Sequence, residues 1–507
     1  MMEADNDFLM GIDAGCTTVK AVVFNLKGRE VAVARKRLPA LYPAPNQVER
    51  DMEVLWRCTR EVIAAALNSG DVDPDKIQGV GVSGHGDGLY LLDKDGRPVR
   101  NGVLSLDARA FQMVKEWEEH GVIEEVFPII GQKPHACSPS SILAWMKREE
   151  ENNYRRAKWI LFCKDFIKFK LTGVICTDET DPSASLVDVK ARKYMDEIFE
   201  ILGIEECRDK LPEIIPGWKI CGEITAQASK ETGLRQGMPV ASGLHDIDAT
   251  ALGSGCLENG QLTMIVGTWS INEVILDRPI LDQRKMCQTR TYGVPGHWLL
   301  INANPSSAIN LEWFVNQFCD HERMEAKKLG ISPYALCDKK VEAVNVGAEG
   351  VIYHPFLYGS HDKPTARAGF YGIAGWHSRS HLLRALYEGV AFATNMCIED
   401  LERIIEIKEV RIAGGGARSN VWTQIFADVT GYSIKVPDGT ELGARGAAMC
   451  AGISVNLYRD HREAVKEAVS ISRSHTPISE NRKKYRSIYD KFKDSIKDAS
   501  HIWDRLQ

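Results

Sequence analysis

The chain lacks the features that would place it in a membrane, on a nucleic acid or outside the cell. No apolar run approaches the ~18 residues a membrane-crossing helix needs, and the residues ahead of Phe8 are acidic and polar, unlike a secretory signal. Lys and Arg (63) are outnumbered by Asp and Glu (69), a net charge of −6, so there is no basic footprint for nucleic acid or anionic lipid. The 13 cysteines are odd in number, scattered and without a C-x-x-C pair, which excludes a disulfide framework and a zinc site and fits reduced thiols. Disorder is excluded too, since 44% of residues are hydrophobic and 26% charged. A cytoplasmic protein is expected. At 507 residues it exceeds the ~250–300 that one core supports, so two domains are expected, 1–254 and 255–507.

Most informative is Phe8-Leu-Met-Gly-Ile-Asp13-Ala-Gly15-Cys16-Thr17-Thr18-Val-Lys20-Ala-Val-Val-Phe-Asn25, two apolar runs around a polar turn, which predicts a buried hairpin. Gly15 lets backbone approach a ligand. The turn amides, the hydroxyls of Thr17 and Thr18 and the Lys20 ammonium are donors suited to phosphate oxygens. Asp13, ending a strand, suits Mg²⁺, which takes one or two carboxylates plus phosphates. Strands are also predicted near 29–36, 77–83 and 88–93, with a helix over 51–68, giving an α/β domain with a mixed sheet. Residues 109–235 read as mainly helical, broken at Pro134, Pro139, Pro182 and Pro212.

The second half repeats the opening: Gly260 to Asp277 is again strand, Gly267-Thr268 turn, strand. Val410-Arg-Ile-Ala-Gly414-Gly415-Gly416 runs into a glycine cluster, followed by a helix from Ser419 to Thr430. From Asn481 a terminal helix places Tyr485, Ile488, Tyr489, Phe492 and Ile496 on one face. Two hairpins of one design, one per half, suggest a duplication. Between the halves, Val240-Ala-Ser-Gly243-Leu-His245-Asp246-Ile-Asp248-Ala-Thr-Ala-Leu-Gly253-Ser-Gly255 brings carboxylates to the start of a small-residue helix. Asp246 or Asp248 there is either chemistry or an N-cap. Glycines 243, 253 and 255 serve either as hinges for closure of the two halves or as close-packing sites.

In this order, Asp13-Ala-Gly-Cys-Thr-Thr, Ser83-Gly-His-Gly-Asp87-Gly, Asp107-Ala-Arg109, Leu244-His-Asp246, Gly267-Thr268-Trp and Gly414-Gly-Gly-Ala-Arg-Ser-Asn420 resemble the FGGY family of carbohydrate kinases, over residues 8 to 455. Pro139-x-x-x-Leu-Ala-Trp145-Met and Gly369-Phe-Tyr-Gly372-Ile through His381 to Glu388 resemble its two signature regions. Cys16 stands where Thr is usual, Cys137 where a larger residue or glycine is usual, and Ile142 where Lys is usual.

The resemblance implies an α/β fold of two duplicated ribonuclease-H/actin-like ATPase domains flanking a deep cleft, with ATP and Mg²⁺ as cofactors. It implies phosphate contacts from Gly15, Cys16, Thr17, Thr18, Lys20, Gly267 and Thr268, and adenosine contacts from Gly415, Gly416 and Asn420. Asp13 and Asp246 would serve Mg²⁺. Asp246, seven residues before Gly253, matches the catalytic aspartate that accepts the sugar hydroxyl proton, with Asp248 as the competing position and His245 as a supporting residue. Gly86, Asp87, Asp107 and Arg109, with Asp246, are the candidate substrate contacts. For Asp87 a turn residue between two glycines is the alternative.

The wording at Gly222-Glu-Ile-Thr-Ala-Gln, Leu311-Glu-Trp-Phe and Phe356-Leu-Tyr-Gly-Ser360 is most similar to the L-xylulose kinase branch. Phosphorylation of a ketopentose at its terminal hydroxyl, L-xylulose first, is therefore expected. Gly86-Asp87-Gly88 keeps erythritol or another polyol as the alternative, and an actin-like ATPase switch is the alternative of a different class. The partners expected are the sugar and ATP, with neither nucleic acid nor membrane, and a homodimer is compatible with the sequence.

Overall fold

The computed structural model describes residues 7–69, 72–360, 363 and 365–506. Packing divides the chain into two units: one of 1–259 with 275–300 and 439–470, the other of 260–274, 301–438 and 471–507. Among the described residues, no helix is long and apolar enough to cross a membrane.

The first unit is built on a sheet in the order Ile220–Glu223, Pro239–Ala241, Ile77–Gly84, Phe8–Ala14, Thr18–Asn25, Glu30–Arg37, with Leu244–His245 also paired to Ile77–Gly84. The first three strands of the chain form an antiparallel meander, while Phe8–Ala14 runs parallel to Ile77–Gly84. Met10, Ile12, Val19, Ala21, Val23, Val80 and Val82 enter the core here, as expected of strands buried on both faces. The Met52–Leu67 helix lies on this sheet. Its N-cap Asp51 accepts the amides of Glu53 (2.8 Å) and Val54 (3.1 Å), and Leu55, Val62, Ile63 and Ala66 form its buried stripe.

The Leu442–Ser454 helix, far away in sequence, belongs to the same unit and seats on glycines. Gly11 and Gly81 are register partners on adjacent strands. A Cβ on them would lie 1.9 Å from the Ala444 carbonyl oxygen and 1.8 Å from that of Ala447. A Cβ on Gly253 would sit 1.9 Å from the Leu442 carbonyl oxygen, and one on Gly446 1.9 Å from that of Ala249. Gly243 is likewise filled, its absent Cβ 1.9 Å from the Val82 oxygen. Of the two readings of Gly243 and Gly253, close packing is what the structure contains.

The second unit repeats the plan. Gln261–Val266 pairs antiparallel with Ser270–Leu276 and parallel with Glu409–Ala413, which runs parallel to Ile434–Pro437, itself antiparallel to Ile471–His475. The terminal helix spans Ser479–Arg505 and buries Tyr485, Tyr489 and Phe492, with Ile488 and Ile496 half-buried.

The expectation for 109–235 needs correction. Helices are present, but Trp159–Leu161, Cys176–Thr177, Val187–Asp188, Lys193–Tyr194 and Glu213–Ile214 are strands too short to carry a period. Pro139 opens a helix and does not break one, since the first turn needs no amide from it.

Replacing Gly81 with Ala should destabilise the protein by at least about 1–3 kcal/mol, because the added methyl overlaps main chain that no rotamer change can move. Urea unfolding of the variant beside wild type measures this, and a midpoint equal to wild type would contradict the seating described.

Candidate active site

Strand register places the first carboxylate. Asp13 has Lys20 as its antiparallel partner and Ser83 as its parallel partner. Ser83 Oγ donates to Asp13 Oδ1 at 3.0 Å, and Lys20 Nζ lies 3.6 Å from Oδ2. Lys20 is held more closely by Glu441 (2.8 Å), so its ammonium sits between two carboxylates. Burial pushes the Asp13 carboxyl above its ordinary range, opposed by Lys20 and reinforced by the charge of Asp246. A cation at Asp13 would relieve that cost.

The following turn is anchored by a residue sequence reading did not single out. Arg50, fully buried, donates to the carbonyls of Gly15 (3.4 Å) and Cys16. The Gly15 amide closes the turn on Thr18 O at 3.0 Å, and Thr17 is exposed at the tip. Gly15 needs no left-handed backbone, and a Cβ there would meet only Thr18 O at 3.7 Å. Its missing side chain therefore leaves room for something outside the chain. Cys16 Sγ lies 3.0 Å from Ser105 Oγ, and burial pushes the thiol up to about 11, so it sits there as a neutral thiol.

Asp246 is the first residue of the Asp246–Gly253 helix, whose N-cap is His245 and has no side-chain cap bond. The N-cap reading of both aspartates is thereby set aside. Two residues apart on a helix they diverge: the Asp246 side chain is 31% exposed, that of Asp248 1%. Asp248 accepts the Gly293 amide at 3.2 Å, and burial raises its carboxyl to about 8. His245 stands between them, Nε2 3.2 Å from Asp246 Oδ1 and Nδ1 3.6 Å from Asp248 Oδ2. Burial disfavours its charged ring, but the hydrogen bond and charge of Asp246, with Asp181 and Asp248, more than offset this and raise it to about 9.

The loop before Asp246 hangs on a buried charge cluster. Lys164 lies 2.8, 2.7 and 2.6 Å from Asp165, Asp178 and Asp181, and Lys168 3.0 Å from Asp165, all with fully buried side chains. Asp178 Oδ2 accepts from Thr180, whose hydroxyl accepts the His245 amide at 2.8 Å.

Three substrate candidates are placed differently from expectation. Asp107 has no exposed side chain and accepts from Arg109 Nε, Nη2 and backbone N–H and from the Val48 amide, while Arg109 also reaches Glu49 at 2.8 Å. This pair binds its own loops together and leaves Asp107 no free acceptor for a sugar. Gly86 is a packing site: its Cβ would fall 2.3 Å from His245 Nε2. Asp87 does present a partly exposed carboxylate, paired with Arg290 at 3.4 Å.

In the second unit the equivalent turn is closed by Gly267 N–H to Trp269 O (3.1 Å), with Thr268 exposed and a Cβ on Gly267 meeting only Trp269 O at 3.8 Å. It repeats the design of the first hairpin. The glycine cluster divides by purpose. Gly414 is left-handed (φ 85°) and a Cβ on Gly416 would fall 2.4 Å from Val266 Cγ1, whereas a Cβ on Gly415 would have nothing within 4 Å and that residue is exposed. Of the adenosine candidates, Gly415 and the exposed Asn420 present open surface, and Gly416 is occupied by packing.

Both halves match the FGGY family of carbohydrate kinases, the N-terminal domain over residues 8–253 and the C-terminal domain over 262–455. The chain belongs to this family, and it is a sugar kinase. It is 34% identical over 494 residues to the L-xylulose/3-keto-L-gulonate kinase of Escherichia coli, covering 96% of each chain. It is 34% identical over 446 residues to a probable L-xylulose kinase of Haemophilus influenzae, covering 88% of this chain and 90% of that one. A solved xylulose kinase of Lactobacillus acidophilus has the same fold, with a TM-score of 0.87 at 20% identity over 99% of this chain and 100% of the other. The two sheet-centred units are thus actin-like ATPase domains, and the ATPase-switch alternative falls away.

Acid should weaken this region through His85, whose ring is held down to about 4 by burial, with Arg50 adding to the effect. The unfolded chain takes up this proton near pH 6.5, while the folded one refuses it until about pH 4. Stability therefore falls as pH drops through that window, by up to about 1.4 kcal/mol per pH unit from this group. Thermal unfolding from pH 7 to 5 should show a shallower decline in His85→Gln than in wild type.

Proposed function

We propose that the protein transfers the γ-phosphoryl group of ATP to the terminal hydroxyl of a ketopentose, with L-xylulose as first choice, in the cytoplasm. The observation that carries the chemistry is the contrast at the start of one helix: Asp246 is open and Asp248 is buried against an amide. A general base must reach the proton it removes, and Asp246 meets that requirement. It accepts the hydroxyl proton as the sugar oxygen attacks the γ-phosphorus and ADP departs. His245, hydrogen-bonded to it, holds its carboxylate in place.

Gly15, Thr17 and Thr18 on one turn and Gly267 and Thr268 on the other would take the phosphates, with Gly415 and Asn420 at the nucleoside. Lys20 contributes its charge through Asp13 and Glu441. Asp13 and Asp246 would hold Mg²⁺, whose contribution when bound is neutralisation of phosphate charge. Among the described residues no cluster of three or more protein ligands exists, and the fit is to an ion that takes one or two carboxylates and completes its shell with phosphate and water. L-Xylulose as substrate rests on the names of the two relatives at 34% identity.

ADP release measured with L-xylulose, D-xylulose, L-ribulose, erythritol and glycerol should give the highest kcat/KM on L-xylulose. Turnover confined to erythritol or glycerol would transfer the assignment to a polyol kinase. Asp246→Asn should lower kcat by ~10²–10⁴-fold while calorimetric affinity for ATP without Mg²⁺ stays within about twofold. Undiminished turnover would move the base to Asp248.

A further inference from the structure

The Gly86-Asp87-Gly88 segment is shaped to present one side chain. Gly86 is filled by the His245 ring, and Gly88 (φ 68°) has the Val103 carbonyl oxygen 2.1 Å from where a Cβ would be. Between them Asp87 adopts a left-handed backbone (φ 54°), a conformation that persists in proteins where the surroundings impose it. Its carboxylate faces Arg290 on the Gln288–Thr291 strand, with side chains 17% and 4% exposed.

The geometry of that pair is unequal. Arg290 Nε is braced from within by Gln132 Oε1 (3.2 Å) and Gln288 Oε1 (3.1 Å), and Gln132 is itself fixed to Ser183 O at 2.6 Å. Towards Asp87 a single nitrogen, Nη2, straddles both oxygens at 3.4 and 3.5 Å. Tight charge-assisted bonds run ~2.7–2.9 Å and are often two-pronged. The arginine thus orients Asp87 through one loose contact, leaving its negative charge in place and its acceptor sites, of which a carboxylate has about four, unused. Three residues beyond Arg290, the Gly293 amide holds Asp248 beside His245, so one segment contacts both Asp87 and Asp248.

We propose that Arg290 sets the sugar specificity of this site by holding Asp87 as an oriented acceptor for adjacent hydroxyls, so that a neutral ketose or polyol is taken and a keto-acid sugar is refused. A ligand carboxylate would meet the Asp87 charge across a guanidinium already engaged, and like charges brought together in a partly desolvated pocket repel strongly. Arg290 acts through Asp87 and is a positioning residue. The inference rests on the sugar-kinase reading of the pocket.

The test measures kcat and KM for L-xylulose, 3-keto-L-gulonate and ATP in wild type, Arg290→Gln, Arg290→Lys and Asp87→Asn, with thermal unfolding of each. Wild type should prefer the neutral sugar. Arg290→Gln should raise the sugar KM about tenfold or more, with ATP KM within about twofold, and Arg290→Lys should recover part of the loss. Asp87→Asn, which leaves the guanidinium without its carboxylate, should raise the acid-to-neutral ratio of kcat/KM about tenfold. A wild-type enzyme preferring the acid, or an unchanged ratio in Asp87→Asn, overturns the proposal. So does an unchanged sugar KM in a folded Arg290→Gln. If Arg290→Gln does not fold, the Asp87→Asn ratio decides alone. Wild type inactive on every sugar would instead overturn the underlying reading of the pocket.

Discussion

The first unit depends on a close approach of backbone to backbone. The Leu442–Ser454 helix lies against Gly11 and Gly81 so closely that any β-carbon would overlap its carbonyl oxygens, and Gly253 and Gly446 allow the same intimacy with the Asp246–Gly253 helix. Much else follows from that seating. It brings Gly443 to where a Cβ would lie 3.3 Å from Asp13 Oδ2, so the carboxylate and the helix start share one small space. It delivers Glu441, just ahead of the helix, to Lys20. It also lets Arg445 donate to the Gly253 carbonyl at the end of the Asp246 helix (2.9 and 2.7 Å), tying the helix that carries Asp246 to the sheet that carries Asp13. Close-packed interiors transmit such constraints because they do not deform continuously.

On that frame the charges are graded by exposure. Lys164, Lys168, Asp165, Asp178 and Asp181 are wholly buried and compensate one another. Breaking one such pair would leave an uncompensated charge in low dielectric, and Asp178 of this cluster also holds Thr180, which accepts the His245 amide. Asp107, Arg109 and Glu49 form a second buried set, in which the acceptor sites of Asp107 are filled. Asp13, Asp87 and Asp246 retain exposed surface, and each has a positively charged or donor group beside it: Lys20 with Ser83, Arg290, and His245. These three carboxylates are the incompletely satisfied ones, each held by a neighbouring side chain.

Several of these features were legible in the chain. The two Gly-Thr hairpins, the Asp51-capped helix, the strand before the glycine cluster and the terminal helix all carry local signals: alternation, a capping aspartate, glycine, an apolar stripe. Gly15, Gly267 and Gly415 are expected as sites of ligand approach, and a Cβ on any of them would meet no heavy atom closer than 3.7 Å, as is true of several other glycines. Gly86 and Gly416 received the same reading from the same residue type, yet are filled by His245 and Val266. Composition cannot separate a glycine kept empty for a ligand from one filled by a neighbour distant in sequence.

Arg50, Gln132 and Arg290 were missed for a related reason. Each acts on a residue 34 or more positions away, and nothing local distinguishes a buried arginine from a solvated one. Asp246 and Asp248 show the division most plainly. The sequence by itself determined that carboxylates begin a helix between two repeated hairpins, and through motif order it determined the family, because these rest on spacing along the chain. Which aspartate is open, which accepts an amide, and whether Asp107 is free or spent on Arg109 were decided by tertiary structure alone. Exposure and ion pairing depend on what the fold brings alongside, and for these residues that neighbour comes from another part of the chain: Gly293 for Asp248, Val48 for Asp107, Arg290 for Asp87.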